Sequence, residues 1–227
     1  METIRFCTYG HSPALRHARN LLEGWGYGFT QDIEDATHLL LPVPTKDVDA
    51  LPPLPAGIRV FGGNIPYGTD LLKDPYYLEE NAAITAHCAL KYGNIQPGMR
   101  VLVIGWGRIG KVLAKLLKDL GAQVTVGLRK EKAWKEAEAA GVRPVWMQAW
   151  KALEFDVVYN TVPASVLFSG ECRENAVLID LASTEGIFGK GVIQARGLPG
   201  KDAPEESGAL IAKTVLRYAL NKEDEEV

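Results

Sequence analysis

Between Arg100 and Val126 the chain reads strand, glycine turn, helix, glycine, strand, and no other stretch limits its fold so tightly. Arg100-Val-Leu-Val-Ile104 is an unbroken apolar run, the pattern of a parallel strand buried on both faces. It enters Gly105-Trp-Gly-Arg-Ile-Gly110, after which Ile109, Val112, Leu113, Leu116, Leu117 and Leu120 recur with helical spacing. Lys111, Lys115, Lys118 and Asp119 fall on the opposite side, Gly121 ends the helix, and Gln123-Val-Thr-Val126 opens a second strand. A lone GxGxxG is weak evidence. In this context it is a dinucleotide fingerprint, with Gly105 for the tight turn, Gly107 for close approach of a pyrophosphate and Gly110 for helix–strand contact. The helix N-terminus then offers free N–H groups and partial positive charge to phosphates.

The end of the second strand selects the cofactor. An acid about 20 residues past the motif normally accepts from the ribose 2′-OH of NAD. Leu128 stands there, 18 residues after Gly110, followed by Arg129 and Lys130. The two cations also suit the polar start of a helix over Lys130 to Ala140, but with no acid present the reading favours NADP over NAD. A charge-assisted bond to a 2′-phosphate implies a preference on the order of ten- to a hundredfold.

Further strands are expected at Asp156–Val162, Ala176–Asp180 and Val192–Arg196. Their carboxyl ends carry Asn160, Thr161, Asp180 and Ser183, where open α/β sheets bind ligands, although these residue types are also common in turns and caps. The fold class is therefore α/β, a doubly wound parallel Rossmann sheet with a second, smaller N-terminal α/β lobe. The small lobe is expected over 1–78, with strands at Ile4–Tyr9, Thr37–Val43 and Ile58–Phe61 and a helix bearing Leu15, Ala18, Leu21 and Leu22. A linker helix is read within 79–96, the nucleotide domain over 97–200, and over 201–227 a final helix, packing back on the first lobe, with an acidic tail. Asp202, three residues before Glu205, reads as the cap of that helix.

Composition excludes other classes. With 25 basic and 28 acidic residues the net charge is −3, which gives no general attraction to nucleic acid or anionic lipid. No apolar run reaches the roughly 20 residues of a membrane span, and the N-terminus lacks the apolar core of a secretory signal. Three scattered cysteines (Cys7, Cys88 and Cys172) and four histidines show no metal spacing. A metal-free protein of the reducing cytoplasm is expected.

These motifs resemble the A subunit of bacterial dipicolinate synthase. The resemblance rests on Val103–Gly110, Leu120–Arg129, Asn160-Thr-Val-Pro163, Leu178-Ile-Asp-Leu-Ala-Ser183 and Gly197-Leu-Pro-Gly200, in family order over about half the chain. It implies NADP-linked oxidation of a dihydro- or hydroxytetrahydrodipicolinate precursor to dipicolinate, a dicarboxylate substrate, a flavoprotein-like B subunit, a homodimer and a role in sporulation. The cofactor contacts it implies are Gly105, Trp106, Gly107, Arg108, Ile109, Gly110, Leu128, Arg129, Lys130, Asn160, Thr161, Val162, Pro163, Asp180, Ser183, Leu198 and Pro199. Two departures stand out: a shortened N-terminal lobe, and Thr184-Glu-Gly-Ile-Phe188 where the family places a proline and paired glycines.

On the linker helix Asn81 and Thr85 match family polar positions, while His87 stands where a carboxylate is usual. His87, Thr85 and Asn81 are the expected catalytic group. Imidazole exchanges protons near neutral pH, with Glu80 as an alternative base, and Arg59 and Arg196 are candidate carboxylate clamps. The outline is also similar to 2-hydroxyacid dehydrogenases, but Ser183 and Gly200 stand where those enzymes carry their arginine and histidine. Two alternatives remain: a dehydrogenase of another imino or amino acid, and a non-catalytic NADP-binding or scaffolding subunit.

Overall fold

The computed structural model describes residues 4–46, 48, 51–150 and 154–221. The expected acidic tail past Asn221 lies outside the described residues. The chain divides into two compact units, Met1–Asn81 with Pro199–Val227, and Ala82–Leu198.

The first unit holds a parallel five-stranded sheet. In chain order its elements are β1 (Arg5–Thr8), α1 (Pro13–Gly24), β2 (Gly28–Phe29), β3 (His38–Leu40), β4 (Arg59–Gly62) and β5 (Thr69–Asp70). The strand order is β2-β1-β3-β4-β5. Ser12 starts α1 by accepting a hydrogen bond from Leu15 N at 3.0 Å, and Pro13 supplies the fixed φ of a first helical residue. Ala14, Leu15, Ala18 and Leu22 form the buried face of α1.

Helix α2 (Pro75–Gly93) begins earlier than the hydrophobic spacing suggested, because Asp74 caps it. Its carboxylate accepts from Tyr77 N at 2.7 Å and from the Tyr218 hydroxyl at 2.7 Å, and it pairs with Arg217. Burial pushes this carboxyl up, but those donors and the guanidinium more than offset it and hold it below the ordinary value.

The six strands of the second unit's main sheet follow, with two short ones beside them. They run β6 (Arg100–Ile104), α3 (Arg108–Asp119), β7 (Gln123–Leu128), α4 (Glu131–Ala139), β8 (Arg143–Trp146), β9 (Val157–Asn160), β10 (Leu167–Phe168), β11 (Val177–Asp180), β12 (Ile187–Phe188) and β13 (Val192–Gln194). The main sheet is parallel, in the order β13-β11-β9-β6-β7-β8, and β10 and β12 form a small separate pair. Relabelled within the unit, this is the 3-2-1-4-5-6 order of a doubly wound nucleotide fold, with its switch point between β6 and β9. Leu102, Ile104, Val158, Leu178 and Ile187 fill the core on one side. Gly93 closes α2 against Tyr159, where a Cβ would collide with the phenol.

The chain then forms α5 (Leu198–Asp202) and α6 (Pro204–Leu220). This corrects the expected cap: Asp202 lies inside the short helix α5, and α6 starts at Pro204 with Ala203 before it and no side-chain cap. Pro204 imposes that boundary, since proline at the first helical position has no N–H that would need an acceptor. Helix α6 packs on α1, and Gly208 lies so close to it that a Cβ would meet Ala14 O at 2.7 Å. Arg59, one candidate clamp, instead donates to the last carbonyls of α6, Tyr218 O at 3.0 Å and Ala219 O at 3.4 Å.

His38 gives this unit a pH dependence. It is 6% exposed, stacked on Phe61 at 6.0 Å with its Nδ1 2.7 Å from the Thr37 hydroxyl. Burial, with the charge of Arg59 adding to it, holds its pKa down from 6.5 to about 4. The folded value lies below the unfolded one, so this stability is complete above pH 6.5. It is lost as pH falls toward 4, by on the order of 3 kcal/mol. Urea unfolding between pH 7.5 and 4.5 reads it: His38→Gln flattens the pH slope, and a slope equal to the wild type contradicts the assignment.

Candidate dinucleotide site

The glycine turn joins β6 to α3 at the switch point. Gly105 has φ of +105°, and a Cβ there would stand 2.5 Å from Thr161 Oγ1 and 2.8 Å from Val162 Cγ2. Thr161 is fixed in turn, its hydroxyl donating to Ile104 O at 2.9 Å. At Gly110 a Cβ would overlap the carbonyl oxygen of Gly105, so the first turn of α3 lies directly against the strand end. Gly107 is different. It precedes α3 with φ of −79°, and no protein atom lies within 4 Å of a Cβ placed on it. The protein itself therefore has no need of glycine there, whereas a phosphate approaching the α3 N-terminus would need that space. Arg108 and the half-buried Ile109 begin α3.

Beside this turn lies a depression of about 240 Å³ lined by Gly105, Trp106, Leu128, Arg129, Lys130 and Val162, among others. The Leu128 side chain is buried at 3%, so the chain offers its backbone there. Arg129 and Lys130 are exposed. Lys130 precedes α4 without capping it by its side chain. The neighbouring acid Glu131 is engaged by Lys135 at 3.2 Å, and neither cation has a partner among the described residues. A glycine turn, a helix N-terminus and two uncommitted cations at the strand end fit a phosphorylated dinucleotide.

Sequence reasoning missed Gly127, Ala133 and Met147, which also line the depression. The signal was Gly127, a glycine inside an apolar strand, which marks close approach. A Cβ there would lie 3.3 Å from Met147 Sδ.

Four of the expected contacts are buried residues: Asn160, Asp180, Leu198 and Pro199. Asn160 and Asp180 are both 0% exposed. Asn160 Nδ2 donates to Asp180 Oδ1 at 2.9 Å and to Val162 O at 3.0 Å, while its Oδ1 accepts from Val162 N at 2.9 Å. Asp180 also accepts from the backbone N–H of Ala182, Gly186 and Ile187 at 3.3, 2.7 and 3.2 Å. Arg196, the other candidate clamp, lies 3.7 Å from this carboxylate and donates from Nε to Ala182 O at 2.9 Å. These groups hold the loops after β9 and β11. Leu198 and Pro199 are buried as well, because the chain turns helical where a loop was expected. Pro163 and Ser183 are exposed.

The three expected catalytic residues differ in exposure along α2. Thr85 is buried, Asn81 half-buried and His87 exposed. Two residues apart on a helix, Thr85 and His87 face different directions. The Nδ1–H of His87 donates to Ala83 O at 2.8 Å, which leaves Nε2 as the acceptor nitrogen.

Residues 96–177 match the model of the acetohydroxy acid isomeroreductase NADPH-binding domain. The dipicolinate synthase A subunit of Bacillus subtilis (strain 168) is 28% identical over 142 residues, covering 57% of this chain and 48% of that protein. NADP-dependent alcohol dehydrogenase C 1 of Mycolicibacterium smegmatis is 31% identical over 113 residues, 46% of this chain and 32% of that one. The matched stretches thus span half or less of these relatives. In fold, the crystal structure of the dipicolinate synthase A subunit from Bacillus halodurans superposes with a TM-score of 0.81 at 21% identity, covering 96% of this chain and 98% of that one. Among the described residues no helix is long and apolar enough to cross a membrane. The chain is thus similar in sequence and in fold to the dipicolinate synthase A subunit, and its second unit is a Rossmann-like α/β domain that matches an NADPH-binding domain model over residues 96–177.

Proposed function

We propose that the chain is an NADP-dependent oxidoreductase that oxidises a dihydro- or hydroxytetrahydrodipicolinate precursor to dipicolinate. The observation that carries the cofactor choice is the pair Arg129 and Lys130, uncommitted at the strand end where an NAD site has an acid. The Asn160–Pro163, Leu178–Ser183 and Gly197–Gly200 motifs support the substrate, and with it the proposal of a B-subunit partner, a homodimer and a cytoplasmic setting.

When bound, NADP supplies the hydride acceptor. The chain's own residues do the rest. The glycine turn and α3 receive the pyrophosphate, Arg129 and Lys130 hold the 2′-phosphate, and Trp106 and Val162 wall the nucleotide. Oxidation of the dihydro compound releases a proton beside the hydride, and His87 Nε2 takes it; the hydroxytetrahydro compound first loses water to give that dihydro compound. Arg129→Asp is expected to weaken NADPH binding by about tenfold or more with little change for NADH; equal losses for both would sink the assignment. His87→Ala is expected to lower turnover by about a hundredfold at unchanged NADPH affinity.

A second reading, a nucleotide-binding subunit without turnover, is favoured by one observation: Thr85 and His87 lie on different sides of α2. Dipicolinate formation by the purified protein, with and without a B subunit, separates the two.

A further inference from the structure

The first unit has a switch point of its own. Its order β2-β1-β3-β4-β5 reverses between β1 and β3. Doubly wound sheets bind ligands outside the strand carboxyl ends at such a point. A cavity of about 870 Å³ opens there, lined by Thr8, Tyr9 and Gly10 at the end of β1, then His11, Arg16 and Arg19. Its size falls in the range of small-molecule sites, roughly 300–1,000 Å³.

The charge of the lining is selective. Among the described residues it contains two arginines and a histidine and no acid, in a chain whose net charge is −3. Ser12, Arg16 and Arg19 follow the spacing of one helix face, apart from the buried Ala14, Leu15, Ala18 and Leu22. Arg19 is anchored, 3.0 Å from Glu23 and laid over the Phe29 ring at 5.0 Å, so Glu23 offsets part of its charge. Arg16 is exposed and has no partner among the described residues. Tyr9, 40% exposed, adds an aromatic surface beside them.

We infer that this cavity binds a small organic carboxylate, with Arg16 as the pairing residue and Arg19 and His11 supplying the surrounding donors. Guanidinium and carboxylate match as a planar, bidentate pair, and an aromatic acid would also cover Tyr9. The inference rests on the reading above for the class of acid alone, since every residue it names belongs to the first unit.

Calorimetric titration of the full chain tests it with dipicolinate, inorganic phosphate and NADPH as separate probes, on the wild type, Arg16→Ala and Arg16→Glu. Melting curves check that each variant is folded. Dipicolinate affinity is expected to fall about tenfold or more in Arg16→Ala and further in Arg16→Glu, with NADPH affinity unchanged. Equal dipicolinate binding by wild type and Arg16→Glu overturns the inference. So does a wild type that binds phosphate but not dipicolinate, or neither. Failure of NADPH to bind while Arg16-dependent dipicolinate binding persists would sink the oxidoreductase reading and leave this site standing.

Discussion

Gly110→Ala is expected to lower dinucleotide affinity by about a hundredfold or more, because the new methyl would overlap the Gly105 carbonyl oxygen. The obstacle is backbone, so no rotamer relieves it: α3 must move away from the turn that it helps to form. Gly107→Ala separates folding from binding. Nothing in the protein lies within 4 Å of a Cβ there, so its melting temperature should match the wild type while NADPH binding weakens. Gly110→Ala should lower both. A Gly107→Ala protein with undiminished affinity would show that no ligand occupies the space before α3.

Asp180→Ala carries the largest expected cost in stability, about 3–5 kcal/mol by urea unfolding. The carboxylate accepts from the side chain of Asn160 and from three backbone N–H groups, and it faces the Arg196 guanidinium. Alanine leaves buried donors unsatisfied and one cation without its counter-charge. Asp180→Asn should cost less, since one side-chain oxygen can still accept. A loss below about 1 kcal/mol for Asp180→Ala would mean that the loop after β11 is held by other contacts.

The nucleotide unit was legible because its signals are local. The apolar run of β6, the glycines and the period of α3 all lie within one short stretch and obey one geometry. The same local reading could not show the surroundings of groups whose partners lie elsewhere in the sequence. Asn160 and Asp180 looked like ligand contacts at strand ends, yet they are twenty residues apart in sequence and hydrogen-bonded to each other. Arg59 looked free to clamp a substrate, but its partners lie 159 and 160 residues away at the end of α6. The start of α2 was missed because its cap is tied to Arg217 and Tyr218, 143 and 144 residues further on. The cavity beside α1 left only a faint signal, the spacing of Ser12, Arg16 and Arg19, until the order of β1 and β3 was known.

Fluorescence titration of the wild-type protein with NADPH and NADH is the most direct measurement, with Trp106 in the glycine turn as an internal reporter. Tighter binding of NADPH, by on the order of ten- to a hundredfold, is the predicted result. Binding of neither nucleotide would make the glycine turn a purely structural device and contradict the proposed function at its base.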